Sequence, residues 1–449
     1  MKYHQYGFLT KFKYLLKKDE KELNMGEKEY DLVIFDDMFP HLLASFRFAE
    51  FNAYLKEFDK SIIYSRGISI HFNQQKSFKL LLKEYEQKFS QFRNRVFEFD
   101  KTIVLKAKLC YMLFAFNANN FLKFMEKNKI PFVFTLYHGE LFSIIQNKFF
   151  SSLFQYLKKT LLPLLFQVVK NINRRNLHEF FISLVQMYGV YLNQTHYRRL
   201  KKVCASKYFR KVIVTQKLAY NYIISLNVCK PSDVKFIYGV VFPIEKYYDI
   251  SKSKKYYPRD KNTFDICFVA YKYSEKGIGK GYKTFINVAR LLCKKYKNIF
   301  FHVAGGFNGT EYDISDIKDH IYYYGILDAS QFNEFYPAKD IILSSNKPFT
   351  RDVNIVDAFP TVSCLEAGSS GVVLFQSDPL NQNIYFKNNE EIVIIQNDPM
   401  QIALKIEYYY KNPDKLYQIA NNGSKKIRSL FNYNSQIKPR IEVLSKYIK

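Results

Sequence analysis

Short, continuous apolar runs separated by helix-length spacers govern what this chain can fold into. In the first half they are Asp31–Phe35 (DLVIF), Ser61–Ser65 (SIIYS), Thr102–Lys106 (TIVLK), Phe132–Tyr137 (FVFTLY), Lys211–Gln216 (KVIVTQ) and Val234–Gly239 (VKFIYG). In the second half they are Phe264–Ala270 (FDICFVA), Ile299–Gly306 (IFFHVAGG), Ile321–Leu327 (IYYYGIL), Asp340–Ser345 (DIILSS), Val372–Ser377 (VVLFQS) and Glu391–Gln396 (EIVIIQ). The runs do not alternate polar with apolar residues, so each strand is expected to bury both faces, as strands do in a parallel sheet covered by helices. Parallel neighbours need a crossover, and most of the spacers are long enough to supply a helix. Two such series predict an α/β protein of two doubly wound domains. Between them Tyr248–Asn262 (YDISKSKKYYPRDKN) is polar and lysine-rich and reads as a linker. The closing segment Leu416–Lys449 has a helical pattern, with Gly423 placed as a helix stop.

Composition narrows the class. Hydrophobic residues make up 48% of the 449, which excludes wholesale disorder. No stretch reaches the roughly 18 uncharged apolar residues that a spanning helix requires, and the first residues lack the apolar core of a secretory signal. The six cysteines are scattered with no CxxC pair, as expected of buried thiols in a reducing compartment. The expected location is therefore the cytoplasm. A net charge of +27 favours anionic partners. The excess is mainly lysine accompanied by Phe, Tyr, Asn and Ile without Trp, which AT-rich coding also produces, so charge alone selects no function. A basic nucleic-acid-binding protein is the rival it raises, but Tyr and Phe fall within strand and helix patterns and form no arginine-rich or RNP-like cluster. No nucleic-acid partner is expected.

Ligand sites of open parallel sheets lie beyond the carboxyl ends of the strands. After FDICFVA comes YKYSEKGIGKGY, in which Gly277, Gly279 and Gly281 interleave with Lys272, Lys276 and Lys280 just before a helical stretch. Backbone amides and lysines at a helix start can cradle a diphosphate. After DIILSS comes NKPFTRDVNIVDAFPTVSCLEAGSSG, carrying Asp357, Phe359, Pro360, Thr361, Leu365, Glu366, Ala367 and Gly371.

This last stretch resembles the nucleotide-sugar motif of family 4 glycosyltransferases, in which an acid and a Gly-Phe-Pro-like turn precede Leu-Glu-Ala, small residues and glycine. The neighbouring elements follow in that family's order from Phe264 to about Phe431: FVAYKY with Lys272, then Lys280-Gly281, then HVAGG with Gly305, then IYYYGIL. The pattern departs in one place. Eight residues, 358–365, stand between Asp357 and Glu366, where the family has seven between two glutamates. In the first half, FVFTLYHGE resembles the strand end that brings a histidine to the donor sugar, which places His138 and Gly139 at the cleft. FIYGVVFP resembles a segment with asparagine where Tyr238 stands. The glycine-rich loop usual after the first strand is replaced by Asp36-Asp37, read as turn and capping acids and not as a metal-binding pair.

The resemblance implies two facing Rossmann-like domains, the GT-B architecture, with a C-terminal cross-over helix. The expected layout is an acceptor-side domain over 1–250 with a helical insertion around 141–205, a nucleotide-sugar domain over 260–430, and a helix over 431–449 returning to the first. It implies a retaining transfer of sugar from a nucleotide-diphosphate donor to a hydroxyl acceptor, a glycan or lipid-linked glycan, without metal or cofactor. His138, Lys280 and Asp357 would be catalytic. Lys272, Gly281, Gly305, Phe359, Pro360, Thr361 and Glu366 would bind the donor, with Gly139 on the acceptor side. Residues 141–175, aromatic and leucine-rich with basic edges, could pack as a helical insertion or dock on an anionic membrane surface. The alternative within the same fold is a degenerate homologue that binds a nucleotide sugar without transferring it.

Overall fold

The computed structural model describes residues 29–40, 46–67, 77–137, 162–170, 199–244, 250–272, 276–328, 330–348 and 357–448. Two parallel sheets organise them. The first comprises β1 (Glu29–Asp36), β2 (Ser61–Ser65), β3 (Val96–Glu98), β4 (Lys106–Leu113), β5 (Phe132–Leu136), β6 (Phe209–Val214) and β7 (Val234–Phe236), in the order β3-β2-β1-β4-β5-β6-β7. The second comprises β8 (Phe264–Val269), β9 (Ile299–Ala304), β10 (Ile321–Tyr323), β11 (Ile341–Ser344), β12 (Val373–Ser377) and β13 (Val393–Ile395), in the order β10-β9-β8-β11-β12-β13. All the strand pairs are parallel. The centres of β1, β4 and β5 are fully buried, because helices such as Phe46–Glu57 and Ala115–Asn128 pack on the first sheet. That is the physical reason their sequences are continuously apolar. This architecture is the expected doubly wound pair.

Four local expectations need correction. The run TIVLK at 102–106 is not a strand: β4 starts only at Lys106, and Val104 is largely exposed. β4 opens with the alternating KAK, whose two lysines are exposed, so it carries no continuous apolar signal at its start. The segment 248–262 is not a solvated linker in its described part. Lys254 is buried and donates to the carbonyls of Pro337 (3.2 Å) and Lys339 (2.5 Å), while Lys261 pairs with Asp265 (2.5 Å) and Asp340 (2.6 Å). Gly423 does not stop a helix. It lies inside Pro413–Leu430, where a Cβ would approach the Glu391 carbonyl oxygen to 2.4 Å, so close packing accounts for the glycine. All six cysteines are free, with Cys229 only half-buried.

The last helix, Tyr433–Ile448, leaves the second sheet and packs on β4 and the 46–57 helix of the first. Its Arg440 is fully buried and stands 3.6 Å from Glu50, whose carboxylate also accepts the hydroxyls of Tyr54 (2.7 Å), Tyr111 and Tyr137 (2.9 Å). A buried ion pair persists only with such surrounding hydrogen bonds. Arg440 donates further to the Gly239 carbonyl (3.0 Å), and Gln436 to that of Tyr238 (2.8 Å).

Candidate donor site at the second switch point

The strand order reverses between β8 and β11, and the loops after these two strands therefore diverge and leave a crevice. Lys280, Gly281, Ser345, Asn346 and Asp357 meet there. Lys280 closes a short 3-10 turn, Ile278–Lys280, and Gly281 caps the helix Tyr282–Cys293. Gly281 has φ +75°, and a Cβ would lie 2.1 Å from the Ser345 carbonyl oxygen, so no other residue lets the β8 loop lie against the β11 loop. The Lys280 ammonium pairs with Asp357 at 2.6 Å, and Asn346 donates to the other Asp357 oxygen at 2.9 Å. Both charged side chains remain partly open to solvent.

Gly305 follows β9 with φ +119°, and a Cβ there would meet the Ala270 carbonyl oxygen at 1.8 Å. Its carbonyl accepts from the Lys272 amide at 3.1 Å, which places Lys272 on the same rim. The Lys272 ammonium is paired with the buried carboxylate of Glu311. Both expected phosphate cations are thus held by carboxylates in this structure, and an arriving diphosphate would exchange one anion for another.

The helix carrying Glu366 runs Val362–Ser369. Thr361 is its N-cap, its hydroxyl accepting from the Cys364 amide at 3.4 Å. The first-turn amides, where the helix dipole is positive, therefore belong to residues next to Pro360, and Glu366 sits a turn further in and half-buried. Glu366 lies near enough to Tyr271, after β8, to raise that phenol's pKa, although burial is the larger cause. Phe359 is buried, and its carbonyl accepts from Tyr238 (3.0 Å) and Gln216 (3.4 Å), both on the first-domain side. The loop 357–361 is thus shared between the two sheets.

Of the residues singled out from sequence, Lys272, Lys280, Gly281, Gly305, Asp357, Phe359, Pro360, Thr361 and Glu366 all lie on the loops or helix beside this crevice. His138 and Gly139 lie outside the described residues, as do 141–161 and 171–198. Asn346, Ser345, Glu311, Gln216 and Tyr238 join the crevice residues as partners here without a motif of their own in the sequence. Only Tyr238 carried a signal, as the substitution for an expected asparagine. Asp36 and Asp37 do behave as turn acids. Asp36 accepts the amides of Met38 and Phe39 (both 2.8 Å) and pairs with Arg47 at 3.0 Å, and Asp37 pairs with Arg66 at 2.5 Å.

Residues 284–440 match the family model described as glycosyl transferase-like. Among solved structures, the chain is similar to Anabaena Alr3699/HepE in complex with UDP and glucose, at 12% identity over 92% of this chain and 99% of that one, with a TM-score of 0.61. It is also similar to sucrose-phosphate synthase from Thermosynechococcus elongatus (10% identity, 92% and 98% covered, TM-score 0.59) and to a glycosyltransferase from Rickettsia africae (13%, 94% and 99%, TM-score 0.52). No curated protein matches the chain by sequence. The fold is GT-B, and residues 284–440 carry a likeness to glycosyl transferases in sequence as well.

Proposed function

We propose that the chain transfers a sugar from a nucleoside-diphosphate sugar to a hydroxyl with retention of configuration, as a family 4-type enzyme. The observation that carries this is the convergence of Lys280, Asp357 and the amides following Pro360 on one crevice. A nucleoside diphosphate leaves with two to three negative charges, and fixed cations and amide dipoles stabilise that charge as it develops. Lys280 and Lys272 take this role without a divalent metal, and Glu366 accepts the ribose hydroxyls. The neighbours solved with UDP, with UDP and glucose, and with UDP-glucose make uridine nucleotides the first to try.

The bond from the anomeric carbon to the diphosphate oxygen breaks, and the acceptor oxygen bonds to that carbon on the same face. The acceptor's proton passes to the departing phosphate oxygen, so no protein base is required. His138 would face the donor sugar, and closure of the two domains would exclude water. Activity should accordingly survive EDTA.

The acceptor we propose is a lipid-linked or surface glycan at the inner face of the cytoplasmic membrane. Support comes from the helix Leu162–Lys170, where Leu162, Leu165, Phe166 and Val169 recur at helical spacing and are exposed. No acidic residue occurs between 141 and 178, whereas Lys148, Lys158, Lys159, Lys170, Arg174 and Arg175 do. An apolar stripe among cations suits an anionic lipid surface. Among the described residues no helix is long and apolar enough to cross a membrane.

A thermal-shift screen with UDP, GDP, ADP, CMP and their common sugar conjugates, on wild type and Glu366→Ala, tests the donor assignment. A nucleotide-specific rise that the variant loses is the expected result. No shift for any nucleotide, in folded protein, would overturn the donor site. A nucleotide-specific rise without turnover on any acceptor would favour the degenerate homologue.

A further inference from the structure

We infer that Tyr238 is a positioning residue for the donor loop: its hydroxyl, held from behind by the C-terminal helix, fixes the Phe359 carbonyl and so sets the Asp357–Glu366 segment. The inference rests on the donor-site assignment above and adds to it how the first domain reaches that site.

The connection is continuous from one sheet to the other. The turn after β7 is pinned to the end of β6 by the Ile237 amide on Val214 O (3.0 Å) and the Gly239 amide on Thr215 O (2.7 Å). From the opposite side the C-terminal helix donates Gln436 to the Tyr238 carbonyl (2.8 Å) and Arg440 to the Gly239 carbonyl (3.0 Å). Tyr238 therefore has little freedom to move its backbone. Its ring is clamped as well, edge-on to Tyr385 at 4.6 Å and 6.0 Å from Phe431. From this fixed base the hydroxyl reaches across to Phe359 O at 3.0 Å, and Gln216 adds a longer bond at 3.4 Å. Tyr238, Gln216 and Phe359 are all buried, so water does not replace these bonds cheaply.

Phe359 is two residues from Asp357 and two from the N-cap Thr361. A displaced Phe359 carbonyl would move both the carboxylate facing Lys280 and the first-turn amides of the 362–369 helix. Chain length explains why a tyrosine stands where the resembling pattern has asparagine. The shorter amide would end near its own backbone, whereas a phenol spans the gap to the other domain.

Tyr238→Phe keeps the ring packing and removes only the hydroxyl. Hydrogen exchange of wild type and variant, without ligand, is the primary readout, with UDP titration as the second. We expect the amides of 361–366 to exchange roughly three- to tenfold faster in Tyr238→Phe, with β6 unchanged, and UDP affinity to fall by a similar factor. Gln216→Leu should act on the same amides more weakly, and it serves as the test if Tyr238→Phe fails to fold. Unchanged exchange at 361–366 in a folded Tyr238→Phe would overturn the inference and leave Tyr238 a packing residue. Faster exchange in a protein whose wild type binds no UDP or other nucleotide would support the positioning role while removing the donor-site reading beneath it.

Discussion

The two sheets reverse their strand order in the same way, yet their switch points are built differently. At the first, the carboxyl end of β1 is filled by its own residues. Asp36 is fully buried on Arg47 and the 38–39 amides, and Asp37 is taken by Arg66 and by Asn120 at 3.2 Å. At the second, a glycine turn lets the backbone approach, and Lys280, Asn346 and Asp357 sit partly in solvent. At the first crevice the carboxylates themselves are buried against their partners, whereas at the second both the ammonium of Lys280 and the carboxylate of Asp357 are partly open. Among the described residues, the proposed diphosphate site belongs to the second of these two crevices.

Variants can sharpen or break this contrast. The largest effect should come from charges buried for structure. Arg440→Met strands Glu50 among three tyrosines and should cost about 4 kcal/mol in denaturant unfolding. Asp36→Ala, which leaves Arg47 buried and unpaired, should cost about 3 kcal/mol in the same experiment. If either were neutral, the first domain's charges would not be structural. Lys280→Ala should instead leave stability nearly intact and lower turnover about a hundredfold, or about 2.7 kcal/mol of transition-state stabilisation. Wild-type turnover in that variant would remove the diphosphate assignment.

The smallest effect concerns Lys254. Burial pulls its ammonium down from 10.5 to about 8, against the attraction of Asp340. In the window between about 8 and 10.5 the unfolded chain holds the proton that the folded one has released. Wild type should therefore gain stability relative to Lys254→Met as pH rises through that window, on the order of 2 kcal/mol. Paired melting curves at pH 7.5 and 10.5 measure it, and a constant difference between the two proteins would contradict the sign.

What was legible in sequence follows from the same physics. Strands buried on both faces announce themselves as apolar runs, so most of β1 to β13 could be read directly. β4 differs from the run at 102–106 because its first residues are partly exposed and carry lysines. The glycine turn and the Asp357–Glu366 stretch were readable because their chemistry is local. Their partners were not: Glu311 and Gln216 reach the crevice from distant loops, and Asn346, although on the crevice's own loop, has no signature of its own. Lys254 and Arg440 look like surface charges in sequence, and only the distant carbonyls and carboxylate that receive them show otherwise.

The contrast between the two switch points is tested most directly by titrating UDP into wild type, Lys280→Ala and Asp37→Asn. Lys280→Ala should weaken binding at least about tenfold, the loss of a charge-assisted contact, while Asp37→Asn should bind as wild type does. Loss of binding in Asp37→Asn with retention in Lys280→Ala would place the nucleotide at the first switch point and contradict that expectation.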